Sequence, residues 1–186
     1  MKTMKTTLTL LLALGALTQA LAGEFVYRGK IQGMACAFCV YKVTTSLGKL
    51  PGVNADAVDI DLKSGTLQLR ATQALDKRTV AKTLTEAGFT LTEFAPAKAF
   101  EQARYGKTPA LTLTLDSKAL AQYLPVLDKL GEAAASKPSK LMIRAPKSLH
   151  AALLKALIAG RQRAIRVQLD EDGKPTVAVS LYRQTH

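Results

Sequence analysis

The sequence predicts an α+β protein built of two consecutive units, β-α-β-β-α-β over residues 24–95 and β-α-β-α-β-β over residues 109–186. Three observations carry that prediction. Short segments alternate apolar and polar residues with the period of a strand. Between them, apolar residues recur at spacings of three and four, the period of one helix face. Pro51-Gly52, Gly65, Gly88 and Gly160 fall where one pattern ends and the next begins.

Taken in order, Phe25, Tyr27 and Ile31 lie on one side of a first strand, with Arg28 and Lys30 on the other. Val40, Val43, Leu47 and Leu50 mark a helix that Pro51-Gly52 stops. Val58, Ile60 and Leu62 alternate with Asp59 and Asp61. Lys63-Ser64-Gly65 then turns the chain into a return strand carrying Leu67, Leu69 and Ala71. Asp76 is placed to cap a second helix, whose Val80, Leu84 and Ala87 face the core and whose end is Gly88. Phe89 to Phe94 completes the fourth strand. Residues 96–108 read as a linker, with helical character from Ala97 to Tyr105.

In the second unit Leu111, Leu113 and Leu115 alternate with threonines as a strand. Ser117 is a cap for a helix with Leu120, Leu124, Leu127 and Leu130, which Pro125 should kink or divide. Lys140 to Arg144 is a short strand with Met142 assigned to the core. Pro146 opens a helix with Leu149, Leu153 and Leu157, closed by Gly160. Ile165, Val167 and Leu169 are expected to pair with Val177, Val179 and Leu181 as a hairpin across Asp170-Glu171-Asp172-Gly173. Those acidic residues read as a solvated turn, and His150 as a surface or helix-start histidine. This half, a basic domain of unassigned role, resembles no family.

The N-terminus has the form of a secretory signal. Lys2 and Lys5 precede the apolar run Leu8 to Leu17, and Ala20-Leu21-Ala22 offers a cleavage site before Gly23. That run is shorter than the ~20 apolar residues that span a bilayer. The expectation is a signal peptide over 1–22 and a soluble, exported, periplasmic protein of residues 23–186. The chain carries a net charge of +12; losing Lys2 and Lys5 leaves +10. Such a charge suits nucleic acid, anionic lipid or acidic proteins. Export argues against nucleic acid, and most of these lysines read as solvated surface.

Both cysteines lie in Gly33-Met34-Ala35-Cys36-Ala37-Phe38-Cys39, between the first strand and the first helix. A bridge closing so small a loop removes little chain entropy, so a purely structural disulfide is a poor use of the pair. Cys39 falls in the first helical turn and Cys36 just before it, where unpaired N–H groups and the helix dipole favour thiolate. Two thiolates suit a soft ion of low coordination number, Cu(I) first and Hg(II) second. Zinc is disfavoured, because it usually takes four ligands. Neither His150 nor His186 lies in this unit, and position 35 is Ala rather than a carboxylate. A second chain sharing the metal, as a homodimer, is another way to complete its coordination.

Gly33-Met34-x-Cys36-x-x-Cys39, with Val43, Leu47, Leu50, Pro51-Gly52-Val53 and Ala87-Gly88-Phe89, resembles the heavy-metal-associated domain over residues 24–95. That family includes copper chaperones, the metal-binding domains of P-type ATPases and exported mercury scavengers. The resemblance implies a ferredoxin-like sandwich with two helices on one face of the sheet. It implies Cys36 and Cys39 as metal ligands, Met34 packed inward and Phe89 in a loop nearby. Phe38, bulky and apolar between the cysteines, departs from better-known members; it shields the site, docks a partner or packs on the helix. The function so implied is to hold a soft ion and sequester it or pass it to a membrane transporter or an exported acceptor.

Two other readings stand beside this one. A thiol–disulfide redox protein can use the same Cys-x-x-Cys pair, although the chain has no Trp. An interaction module could dock through the basic second unit. No Ser/His/Asp set, phosphate loop or carboxylate pair emerges, so no enzyme is expected.

Overall fold

The computed structural model describes residues 24–185; the expected signal peptide and His186 lie outside them. Strands β1 (Phe25–Gln32), β2 (Val53–Asp61), β3 (Thr66–Ala71) and β4 (Thr90–Pro96) form one antiparallel sheet in the order β2-β3-β1-β4. Helix α1 (Ala37–Leu47) joins β1 to β2, and α2 (Lys77–Glu86) joins β3 to β4. Val40, Val43 and Leu47 from α1 and Val80 and Leu84 from α2 meet Tyr27, Ile31, Leu67 and Leu69 of the sheet in one core. This is the βαββαβ sandwich that the apolar spacing called for. The Asp76 side chain accepts the Thr79 N–H at 3.1 Å and starts α2 as a cap should. Phe25, at the strand's first position, is 41% exposed.

Residues 97–103 form no helix. Arg104–Tyr105 is instead a short strand, β5, paired with the C-terminal strand β9 (Thr176–Thr185). The remaining elements are β6 (Leu111–Asp116), α3 (Leu120–Ser136), β7 (Ser139–Ala145), α4 (His150–Ile158) and β8 (Arg166–Glu171). The order βαβαββ is as expected, but the last pairing is not. β8 lies parallel to β7, and β9 runs antiparallel between β6 and β7. No β8–β9 hairpin forms. The chain crosses the end of β7, where the Asp172 N–H donates to the Ala145 carbonyl at 3.0 Å. Four linking residues reach about 13 Å, enough to skip one strand at ~4.8 Å per spacing. The gain is that β9 pairs on both edges and buries Val177, Val179 and Leu181.

Smaller differences have local causes. The cap before α3 is Asp116, which accepts the Lys118 N–H at 2.9 Å and opens a short 3-10 turn at Ser117–Ala119. Pro125 sits inside α3 without dividing it. Leu124 projects to solvent, and Met142 lies half-buried on the sheet face opposite Leu141 and Ile143. His150 opens α4 with its Nε2 3.0 Å from the Ala145 carbonyl oxygen. Gly160, at φ +73, closes that helix. Among the described residues no helix is long and apolar enough to cross a membrane.

The two units touch. Ala37 and Tyr41 of α1 pack into the core of the second unit, and Ala164 packs against the core of the first. Arg166 donates to the carbonyls of Asp56 at 2.7 Å and Val58 at 3.1 Å, and lies 3.7 Å from the Asp59 carboxylate.

Candidate metal centre

The loop that carries the cysteines begins with a backbone turn that demands glycine. Gly33 has φ +93, a conformation that L side chains rarely adopt. Met34 follows, half-buried against the first core. Cys36 is extended, at φ −155 and ψ 166, and is the residue at which α1 starts. Its carbonyl accepts the N–H groups of Cys39 at 3.0 Å and Val40 at 3.3 Å. The first turn of α1 therefore brings the two side chains to one place.

The Cys36 and Cys39 sulfurs lie 3.0 Å apart, both half-exposed and not bonded to each other. Burial pushes the Cys36 thiol up, and its hydrogen bond to Cys39 pushes it further. Burial acts in the same direction on Cys39. The Cys36 S–H and the backbone N–H groups of Ala35, Cys36 and Cys39 outweigh it and hold Cys39 below the ordinary thiol range. The two sulfurs are hydrogen-bonded to each other, with Cys39 the more acidic of the pair. Two adjacent anions repel, so in the metal-free pair the two sulfurs ionise one after the other, Cys39 first.

The supporting residues are near at hand. Phe89 lies in the turn between α2 and β4, 7% exposed, with Lys42 of α1 5.6 Å above its ring. A Cβ at Gly33 would be 3.7 Å from the Phe89 ring, so Phe89 packs under the start of the metal loop. Phe38 is 37% exposed, with its ring centroid 6.2 Å from that of Tyr41. It is part of the surface around the cysteines. Among the described residues no group of three or more His, Cys, Asp or Glu side chains gathers to hold an ion, and Asp170, Glu171 and Asp172 form no such group.

Two sulfurs on opposite sides of an ion with ~2.3 Å metal–sulfur bonds stand about 4.6 Å apart. The pair must open from 3.0 Å to take such an ion. Opening breaks the hydrogen bond between the two sulfurs.

Sequence reading missed the residues that hold this loop from the other side. The Ala37 N–H donates to the Arg161 carbonyl at 2.8 Å, and Ala37 is fully buried. The one local signal was size: an alanine in the first turn lets another backbone approach.

Comparison with known proteins agrees with the motif. Residues 30–90 match the family model described as heavy-metal-associated domain. Comparison with curated proteins gives no match. A solved structure described as "Crosstalk between Cu(I) and Zn(II) homeostasis" is similar at 15% identity and a TM-score of 0.33. The likeness covers 36% of this chain and 94% of that one.

Proposed function

We propose, for a chain whose residues 30–90 are a heavy-metal-associated domain, that it is an exported carrier of a soft metal ion. Cys36 and Cys39 hold Cu(I) by preference and Hg(II) as the second choice. One observation carries the reading: two half-exposed sulfurs 3.0 Å apart where a helix begins, with Cys39 held below the ordinary thiol range. A soft ion that accepts two ligands suits such a pair. Zinc, which usually takes four, would need donors from a second chain. Exposure of both sulfurs lets an acceptor's thiolate attack the bound ion before either ligand leaves. The ion is sequestered until it passes to a membrane transporter or an exported acceptor. The role is that of a binding protein rather than an enzyme.

Export rests on the signal-like residues 1–22. It also sets a requirement, since an oxidising compartment favours disulfides. A disulfide needs the sulfurs about 2.05 Å apart, a short move from 3.0 Å. Oxidation therefore competes with metal for the same pair, and loading requires a reductant or a partner that delivers the ion already bound.

The test is competitive Cu(I) titration of anaerobically reduced residues 23–186 beside Cys36→Ala/Cys39→Ala. One tightly held Cu(I) per chain, lost in the double variant, supports the reading. Equal affinity in both proteins sinks it.

A further inference from the structure

We infer, on the reading of Cys36 and Cys39 as a soft-metal site, that the C-terminal domain is a built-in brace for the cysteine loop, and that this brace sets how fast a bound ion leaves. Ala37 lies between the two cysteines in sequence, yet it is fully buried in the core of the other domain. The first N–H groups of a helix have no partner within the helix. That of Ala37 finds one in the Arg161 carbonyl, 2.8 Å away.

Arg161 is itself anchored. Its guanidinium donates to the Asp128 carboxylate and, at 2.7 Å, to the Asp128 carbonyl of α3, and lies 4.0 Å from Glu132. The loop after α4 is thereby fixed to α3 at the point where its backbone meets the metal loop. Its next residues, Gln162, Arg163 and Ala164, form one wall of a cleft whose opposite wall includes Met34 and Ala35. A second fastening lies on the other side. Arg166, only 11% exposed, is held by the Asp56 and Val58 carbonyls and by Asp59, and Lys140 lies 3.7 Å from Asp56.

The consequence follows from pre-organisation. A metal loop tied down before the ion arrives loses less freedom on binding it. Opening the sulfurs from 3.0 Å then falls to the cysteine side chains, because the backbone between them is pinned at Ala37. The ion is held from one side, and exchange takes place on the side where Ala35 and Phe38 are exposed. Arg161 and Arg166 are positioning residues. Neither is assigned a bond to the metal.

The experiment loads residues 23–186 with Cu(I) and follows release to an excess of a chelating competitor by stopped flow. Amide hydrogen exchange over residues 36–40 is measured on the same samples. Asp128→Arg removes the carboxylate that anchors Arg161 and puts a like charge beside it, the double swap Asp128→Arg/Arg161→Asp restores an ion pair, and Arg166→Gln loosens the second fastening independently. Asp128→Arg and Arg166→Gln should release Cu(I) at least about fivefold faster, the lower end of typical coupling between sites. They should also exchange these amides faster, and the swap should return toward the parent rate. Unchanged release from both single variants, with the parent chain binding Cu(I) normally, overturns the brace whether or not amide exchange rises. A parent chain that binds no Cu(I) instead overturns the soft-metal reading on which the brace depends.

Discussion

Lys42 is bound to the turn that carries Phe89: its ammonium lies 5.6 Å from the Phe89 ring centroid and donates to the Ala87 carbonyl at 3.0 Å. The contact joins the middle of α1 to the end of α2. It closes the core beneath the metal loop, because Phe89 in turn packs near Gly33. A hydrogen bond to a charged group contributes about 1.5–3 kcal/mol, and an exposed cation–π contact about 0.5–1. Methionine keeps the apolar stem and loses both. Lys42 is exposed, so water offsets part of both, and Lys42→Met should lower unfolding free energy by about 1–2 kcal/mol and leave one Cu(I) per chain. Denaturant titration and metal stoichiometry together check this; lost stoichiometry at unchanged stability would place Lys42 in the site itself.

Asp76 gives a second stability test, on a feature visible before any coordinates. Its carboxylate accepts both the Thr79 N–H, at 3.1 Å, and the Thr79 hydroxyl, at 3.3 Å. Asp76→Ala leaves that N–H to water and should cost about 1 kcal/mol. Asp76→Asn keeps an acceptor and should cost clearly less. Equal losses in the two variants would mean that charge, rather than capping, is what Asp76 supplies.

The contrast between Asp76 and the end of the chain shows what a sequence makes legible. Asp76, Gly33, Pro51-Gly52 and the Cys36–Cys39 spacing act over a few residues, so their chemistry can be read where it stands. The apolar alternation in β8 and β9 is equally clear, yet it states only that each strand has a buried face. It does not name the neighbour. β9 took β6 and β7 because pairing on both edges satisfies more backbone than a hairpin at the sheet's margin. Leu124 and Met142 carry the right spacing but face away from the core, since the position of the facing layer is a property of the whole fold. The bond from Ala37 to Arg161 spans two domains, and no local pattern foretells it.

The packing of α3 on α4 leaves no room at Gly131. A Cβ there would come 2.1 Å from the Leu157 carbonyl oxygen and 2.8 Å from its carbon, both backbone atoms. Neither can rotate aside, so one helix must move. Overpacking of this kind costs about 1–3 kcal/mol and occasionally more. Gly131→Ala should lower the melting temperature through the second domain. If the brace holds, it should also loosen residues 36–40, because α3 carries the Asp128 that anchors Arg161. Hydrogen exchange resolved by segment distinguishes this from uniform destabilisation.

The division of charge between the two sulfurs predicts which reacts first. Cys39 is held below the ordinary thiol range and Cys36 above it, so as pH rises Cys39 loses its proton first. Only the thiolate attacks an alkylating agent. In the metal-free, reduced protein, limiting iodoacetamide on the acidic side of neutrality should therefore label Cys39 before Cys36. Cys36→Ala removes the S–H that donates to Cys39, so the Cys39 pKa should rise and its labelling at that pH should slow. Metal binding must also displace the proton that Cys36 retains. Cu(I) uptake should therefore release protons, and fewer of them as pH rises through the ionisation of Cys39 and then of Cys36. The apparent affinity should climb with pH until Cys36 itself ionises, then level off. Peptide mapping of the alkylated protein decides the order. Labelling of Cys36 first, or of both at one rate, would show that the helix start does not select Cys39 and would remove the predicted pH dependence with it.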